Sequence, residues 1–225
     1  MINIFAEANC NRYVRDECQY CHVYEPLSQI SKDDWHLMPE QAQTMVDKIL
    51  QMEVFHELAK REINLTGGEP SQNPHIVEIF KIFRKLTPNV RIHTNLDINS
   101  AKSQRWLRLV EIMKLSGRVD FTLYPTVWES RQKPLLIEIL GLQDELIVNM
   151  IFEKVPDLLS QIELLMAFFG EQEKKYQSVM PLLETYRAKL ENLLAENPEC
   201  NEGEFLKHME GTENYICTDN FPFGV

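Results

Sequence analysis

Short apolar or β-branched runs alternate along the chain with longer segments whose apolar residues recur at helical spacing. This alternation is typical of a parallel sheet covered by helices, so the sequence predicts an α/β fold. Five strands are predicted: Ile2 to Phe5, Glu62 to Thr66, Val90 to Thr94, Val119 to Tyr124 and Leu146 to Phe152. A helical segment follows each strand, which is the order of successive β/α units.

The helices are predicted from apolar positions three and four residues apart. They are Pro39 to Lys60, Ile76 to Leu86, Ala101 to Leu115, Arg131 to Leu140 and Val155 to Phe169. Pro39 suits a first helical turn, because its fixed φ matches the helix.

The pattern changes after Gly170. The charged segment Glu171 to Asn197 has an apolar stripe and no strand before it, so it is predicted to be an added amphipathic helix. Asn214 to Thr218 is predicted as a sixth strand, which would make an incomplete (β/α)6 barrel with a wide side opening. We therefore expect a single domain of residues 1–225, with a core at about 1–153 and a helical extension at about 154–225.

The charge and hydropathy of the chain disfavour two classes of protein, those that bind nucleic acid and those that span a membrane. With 23 basic and 34 acidic residues, the formal net charge is −11, which disfavours a nucleic-acid partner. The N-terminus MINIFAEAN lacks a basic region followed by a long apolar one, and the apolar stretch LLSQIELLMAFF is too short and too polar to span a bilayer. We expect a cytoplasmic protein that does not enter membranes.

Three of the five cysteines are clustered directly after the first strand, as Cys10-x7-Cys18-x2-Cys21. Three thiolates can bind three irons of a [4Fe-4S] cluster and leave the fourth iron open. The same cysteines with the adjacent His22 could instead form a Cys3His zinc site, as in a zinc-binding interaction module. The spacing of the cysteines alone does not distinguish the iron–sulfur site from the zinc site.

A second motif, Gly67-Gly68-Glu69-Pro70, follows the second strand. Carboxyl ends of parallel strands share one edge of a sheet, so this motif and the cysteine loop are expected at the same mouth. Glycines allow close approach to a ligand, and a glutamate can accept a charge-assisted hydrogen bond from an ammonium group. A plain turn with a solvated glutamate is the alternative.

Together, the cysteine triplet, Tyr20 before the last cysteine, and LTGGEP after the second strand resemble the radical S-adenosylmethionine (SAM) superfamily. The resemblance covers roughly Ile2 to Phe152. It implies a [4Fe-4S] cluster on Cys10, Cys18 and Cys21, and SAM bound at the open iron. It also implies reductive cleavage of SAM to a 5′-deoxyadenosyl radical that abstracts a hydrogen atom from the substrate.

By the same resemblance, Gly67, Gly68 and Glu69 contact the SAM ammonium group, and Tyr20 lies near the adenine. The chain departs from the family in its first cysteine spacing, which has seven intervening residues where the usual motif has three. Four extra residues cost little loop-closure entropy. The longer spacing therefore affects the choice of subfamily more than the prediction that a cluster is bound.

Further candidates for contact with SAM or substrate lie at later strand ends. Asn95 resembles the family's TN ending after the third strand, and Thr122 and Tyr124 end the fourth. Asn149 to Glu153 end the fifth. A strand-end turn or a half-buried polar group is the alternative for each. His93 lies on the face of its strand opposite to Thr94, and it is expected to have a structural role.

The remaining cysteines, Cys200 and Cys217, are two thiols where an auxiliary cluster would normally need four, so we expect none. The sequence identifies no catalytic side chain.

The core motifs do not define the substrate. Small size, acidity and the cysteine spacing favour a ribosomally made peptide or protein, and small peptide-maturing enzymes such as the spliceases, which excise tyramine, are a specific resemblance. A leader-peptide-binding partner and an external one-electron donor of flavodoxin or ferredoxin type are then expected. The alternatives are a glycyl-radical activase and a small-molecule radical SAM enzyme. The apolar stripe of Glu171 to Asn197 could dock a partner or cover the barrel mouth.

Overall fold

The computed structural model describes residues 2–10, 35–143, 145–150, 154–172, 179–201, 205 and 221–224. Its strands follow one another in the sheet in chain order, and the first five are parallel. They are β1 (Ile2–Glu7), β2 (Ile63–Gly67), β3 (Val90–Thr94), β4 (Arg118–Leu123), β5 (Glu145–Met150) and β6 (Phe221–Gly224). The predicted α/β class and parallel sheet are confirmed; closure into a partial barrel stays a prediction.

Along the chain, helices connect the successive strands. They are α1 (Pro39–Gln51), α2 (Glu53–Arg61), α3 (Ile76–Phe83), α4 (Gln104–Lys114), α5 (Lys133–Leu140), α6 (Val155–Gly170) and α7 (Met180–Glu196). The single helix predicted from Pro39 to Lys60 is wrong, because Met52 adopts an extended conformation between α1 and α2. Neither glycine nor proline occurs at this break, so the sequence carries no signal for it.

The chain forms two compact units. The first comprises Met1–Asp120 and Ile137–Gln143, and the second comprises Phe121–Leu136 and Asp144–Val225. The cysteine motif and the GGEP motif both belong to the first unit.

The sheet of the first unit is apolar on one face. In β1, Ile4 and Ala6 are buried, whereas Phe5 is 51% exposed. Helices α1, α3 and α4 contribute further buried apolar residues to this unit: Ala42, Val46, Ile76, Ile79, Phe80, Phe83, Trp106, Leu109 and Ile112. Burying these side chains is the main favourable contribution to the stability of the unit. Because β1 and β2 are parallel, with Ile2 opposite Ile63, their carboxyl ends lie side by side.

A network of charged residues that sequence reasoning missed lies toward the amino ends of β2, β3 and β4. Arg91, which is buried, contacts Glu62 at 3.1 Å and Asp120 at 3.2 Å. Arg118 contacts Glu62 at 2.9 Å and Asp120 at 3.6 Å. The network pairs two cations with two anions across neighbouring strands, at the end of these strands away from the GGEP motif.

In the second unit, α6 and α7 pack against each other. The predicted stripe of the added helix supplies Leu183, Leu190 and Leu193 to this packing, and all three are buried. These three residues are therefore covered by the protein itself, whereas Leu182 of the same stripe is 37% exposed. Docking of a partner on this helix stays a prediction. Among the described residues, no helix is both long and apolar enough to cross a membrane.

The predicted sixth strand, Asn214 to Thr218, lies outside the described residues. The described sixth strand is β6, which pairs with β5 in the antiparallel direction, with Leu146 opposite Phe223.

Candidate functional site

Cys10 follows the carboxyl end of β1 and is buried, with 8% of its surface exposed. It is the described member of the cysteine triplet; Cys18, Cys21 and Tyr20 lie outside the described residues.

The two ends of the segment 11–34 are held together by main-chain hydrogen bonds. Ala8 N–H donates to the Trp35 carbonyl at 2.8 Å, and Leu37 N–H donates to the Ala6 carbonyl at 3.2 Å. The described residues on either side of the segment that contains the other two cysteines therefore lie together at the carboxyl end of β1.

Asn73, in the turn after the GGEP motif, stabilises the contact between the end of β1 and residues 35–37. Its buried side-chain Nδ2 donates to the carbonyls of Ala6, at 2.6 Å, and Leu37, at 3.0 Å. Its Oδ1 accepts from His75 N–H at 2.8 Å. One amide therefore ties both sides of the cysteine loop to the start of α3.

A carboxylate and an imidazole also meet at this junction. The Oε2 atom of Glu7 lies 2.5 Å from His36 Nδ1, and its Oε1 accepts from Asn9 N–H at 2.8 Å. Burial raises the pKa of Glu7 above its usual value, while the hydrogen bonds from Asn9 and His36 oppose that rise. The pair links β1 to the residue next to Trp35 and so reinforces the closed base of the loop.

The two glycines of GGEP pack against the main chain that leads to Cys10. Gly68 N–H donates to the Glu7 carbonyl at 2.7 Å, and Glu69 N–H donates to the Asn9 carbonyl at 2.8 Å. A Cβ at Gly67 would overlap the Glu7 carbonyl oxygen, and one at Gly68 would overlap the Asn9 carbonyl oxygen. Close approach of two protein segments therefore requires these glycines.

Glu69 is completely buried, and donors of the protein surround its carboxylate. Oε1 accepts from Ser71 N–H at 3.0 Å and Thr94 Oγ1 at 2.7 Å, and Oε2 accepts from Asn95 N–H at 2.7 Å. Arg105 Nη2 lies 3.6 Å from Oε1. In this arrangement an incoming ammonium group would have to displace these donors to reach the carboxylate, whereas Gly67 and Gly68 remain partly exposed.

Asn95 brings the end of β3 to the cysteine. Its side-chain Nδ2 lies 3.8 Å from the Sγ of Cys10, and its Oδ1 accepts from Asp97 N–H at 2.9 Å. The structure thus brings together Cys10, Glu69 and Asn95, which the sequence had placed at three different strand ends.

Thr122 and Tyr124 lie in the second unit, at the end of β4 and directly after it. The side chain of Gln132 joins their main chains: its Nε2 donates to the Thr122 carbonyl at 2.7 Å, and its Oε1 accepts from Tyr124 N–H at 2.9 Å. Asn149 lies in β5, and the predicted positions 151–153 are outside the described residues.

No protein-family model matches the sequence, and no curated protein matches it. Among solved structures, the chain is similar to a structure of TYW1 with a lysine-pyruvate adduct bound, with a TM-score of 0.30 and 14% sequence identity. The similarity covers 73% of this chain and 70% of that chain. At this level of similarity, the neighbour says nothing about the chemistry of the chain.

Cys10 is the predicted metal ligand that the described residues include. Among residues 2–10, 35–143 and the later described ranges, no group of three His, Cys, Asp or Glu side chains could hold a metal ion. Two of the three predicted ligands lie outside these ranges. Cys200 is buried in the second unit, and Cys217 lies outside the described residues.

Sequence reasoning missed Asn73 and Arg105, which support the site from outside the motifs. Arg105 Nε donates to Ser71 Oγ at 2.9 Å and approaches Glu69 from α4. Arg105 makes these contacts with a segment remote in sequence, so it has no local signature. Asn73 had a weak signal only, as a side chain capable of turn hydrogen bonds shortly after Pro70.

His93 is predicted to make the stability of the first unit depend on pH. Burial, with a contribution from the charge of Arg91, lowers the pKa of His93 from 6.5 to about 4. The unfolded chain then binds a proton that the folded chain rejects, so this contribution to stability is lost as pH falls through 6.5 toward 4. When the pH is lowered from 7 to 5, the free energy of unfolding of wild type should fall by about 2 kcal/mol more than that of His93→Gln.

Urea unfolding of both proteins at the two pH values measures this difference. Parallel pH profiles for wild type and His93→Gln would contradict the assignment of a neutral, enclosed imidazole.

Proposed function

We propose that this chain is a radical SAM enzyme that binds a [4Fe-4S] cluster through Cys10, Cys18 and Cys21. The observation that carries the proposal is the contact between its two motifs. Glu69 N–H donates to the Asn9 carbonyl, so the GGEP segment lies directly against the residue that precedes Cys10. The GGEP motif and the first cysteine of the triplet, which lie far apart in the sequence, are therefore neighbours in the fold.

The residues at this place fit a thiolate-bound cluster. Cys10 is buried beside an amide donor, a surrounding that suits an anionic sulfur. The remaining two cysteines belong to the segment whose ends the fold holds together at Cys10's own strand. When bound, such a cluster supplies the electron that breaks a C–S bond of SAM.

This chain's residues would supply binding and orientation. Cys10, Cys18 and Cys21 hold the cluster, and the partly exposed Gly67 and Gly68 offer a main-chain surface without side chains for the SAM methionine moiety. Asn73 and the Glu7–His36 pair hold together the described residues on either side of the segment 11–34. Tyr20 remains a proposed SAM contact by resemblance, and the contacts expected of Thr122 and Tyr124 from their positions at a strand end stay predictions.

For the substrate, we propose a peptide or protein, with splicease-type tyramine excision as the specific reaction. Support comes from the net charge of −11 and the unusual cysteine spacing. An electron donor and a leader-binding partner belong to the same proposal.

Cleavage of SAM tests the proposed reaction. After anaerobic reconstitution with iron and sulfide, the protein should convert SAM to 5′-deoxyadenosine and methionine when dithionite is added. Cys18→Ala should abolish this product, because the cluster loses a ligand. Cys200→Ala, which removes a thiol in the second unit, is the matched control and should retain it.

Liquid chromatography with mass detection quantifies 5′-deoxyadenosine. Equal amounts from wild type and Cys18→Ala, or none from a wild type that holds a full cluster, would contradict the proposal.

A further inference from the structure

The side chain of Asn95 is fixed with its amide nitrogen toward Cys10. The residue is 7% exposed and follows β3 directly. Its Oδ1 accepts from Asp97 N–H at 2.9 Å, and this bond orients the amide plane. Nδ2, the donor end, then lies 3.8 Å from Cys10 Sγ.

Glu69 holds the main chain of Asn95 in this position. Its Oε2 accepts from Asn95 N–H at 2.7 Å, and its Oε1 accepts from Thr94 Oγ1 at 2.7 Å. At the same time, Glu69 N–H donates to the Asn9 carbonyl, one residue before the cysteine. Glu69 therefore ties the donor and the acceptor of the Asn95–Cys10 contact to one rigid point.

A donor at this distance from a cluster ligand affects electron transfer. Reduction adds negative charge, part of which resides on the cysteine sulfurs. A hydrogen bond to sulfur therefore stabilises the reduced state more than the oxidised state, and it raises the reduction potential.

We propose that Asn95 is a positioning residue whose amide donates to the Cys10 thiolate and raises the reduction potential of the cluster, with Glu69 holding the amide in place. This inference rests on the proposed function. It gives Glu69 a task within the protein, and it gives Asn95 a task directed at the cluster.

Asn95→Leu tests the inference, because leucine has a similar volume and no donor. The matched control is Asn89→Leu, which makes the same exchange at an exposed position before β3, where the amide donates to the Arg61 carbonyl. Both variants and wild type are reconstituted anaerobically. Their reduction potentials are measured without SAM by electron paramagnetic resonance during a redox titration, so the readout does not depend on turnover.

Asn95→Leu is expected to shift the one-electron reduction equilibrium toward the oxidised cluster by roughly threefold to tenfold, where tenfold corresponds to 59 mV. Asn89→Leu is expected to match wild type. An unchanged or raised potential in Asn95→Leu would overturn the inference while leaving the proposed function in place. Failure of wild type to bind a cluster would overturn the proposed function itself.

Asn95→Gln covers the case in which Asn95→Leu retains no cluster. Glutamine keeps the amide donor on a longer side chain, so it should restore iron binding and a potential no higher than that of wild type. If Asn95→Gln binds as little iron as Asn95→Leu, the donor is not what the site requires and the inference fails.

Discussion

Gly67→Ala is expected to destabilise the chain by roughly 3 to 5 kcal/mol. Gly67 has a φ of +126°, a conformation that residues with a Cβ rarely adopt. In addition, the new Cβ would overlap the main-chain carbonyl oxygen of Glu7, which belongs to β1 and cannot move without breaking its pairing with β2. Strain and overlap therefore act at one position, where the two motifs meet.

The measurement is the urea midpoint of unfolding, followed by far-ultraviolet circular dichroism. Gly170→Ala is the control, because a Cβ there would meet no atom within 4 Å. It should change stability by at most about 1 kcal/mol. A midpoint for Gly67→Ala equal to that of wild type would show that the junction between β1 and the GGEP segment is not rigid.

The sheet could be predicted from sequence because its strands carry strong local signals. Val90 to Thr94 was predicted with the bounds that the structure has, since its β-branched residues alternate with Arg91 and His93 after a turn. The break at Met52 could not be predicted. Met52 is extended between the two helices, and no glycine or proline marks the position.

The meeting of Cys10 with the GGEP segment was predictable from topology, because carboxyl ends of adjacent parallel strands share an edge. The partners of the Glu69 carboxylate were not. They come from the ends of β2 and β3 and from α4, and their distances depend on tertiary packing that no local pattern encodes. The sequence therefore located the residue without showing that its side chain points inward.

The amphipathic pattern of α7 illustrates a related limit. Its stripe predicted that one face is covered, and Leu183 and Leu190 are indeed buried. The pattern cannot say whether the cover is a partner or the chain's own α6, because both present apolar surface. Only the fold distinguishes them.

Loss of the cluster on removal of its thiolates is the second large effect that we expect. Wild type should take up about four irons and four sulfides per chain, and alanine at Cys10, Cys18 or Cys21 should leave a small fraction of that, because each cysteine binds a different iron. Cys200→Ala should match wild type, since that thiol is buried in the second unit and contacts the Asn201 carbonyl.

Iron and acid-labile sulfide per chain, determined after anaerobic reconstitution of wild type and of the variant with alanine at all three cysteines, is the most direct test of this account. The predicted result is about four of each in wild type and nearly none in the variant. A wild type that binds one zinc and no iron, or a triple variant that keeps its iron, would contradict it.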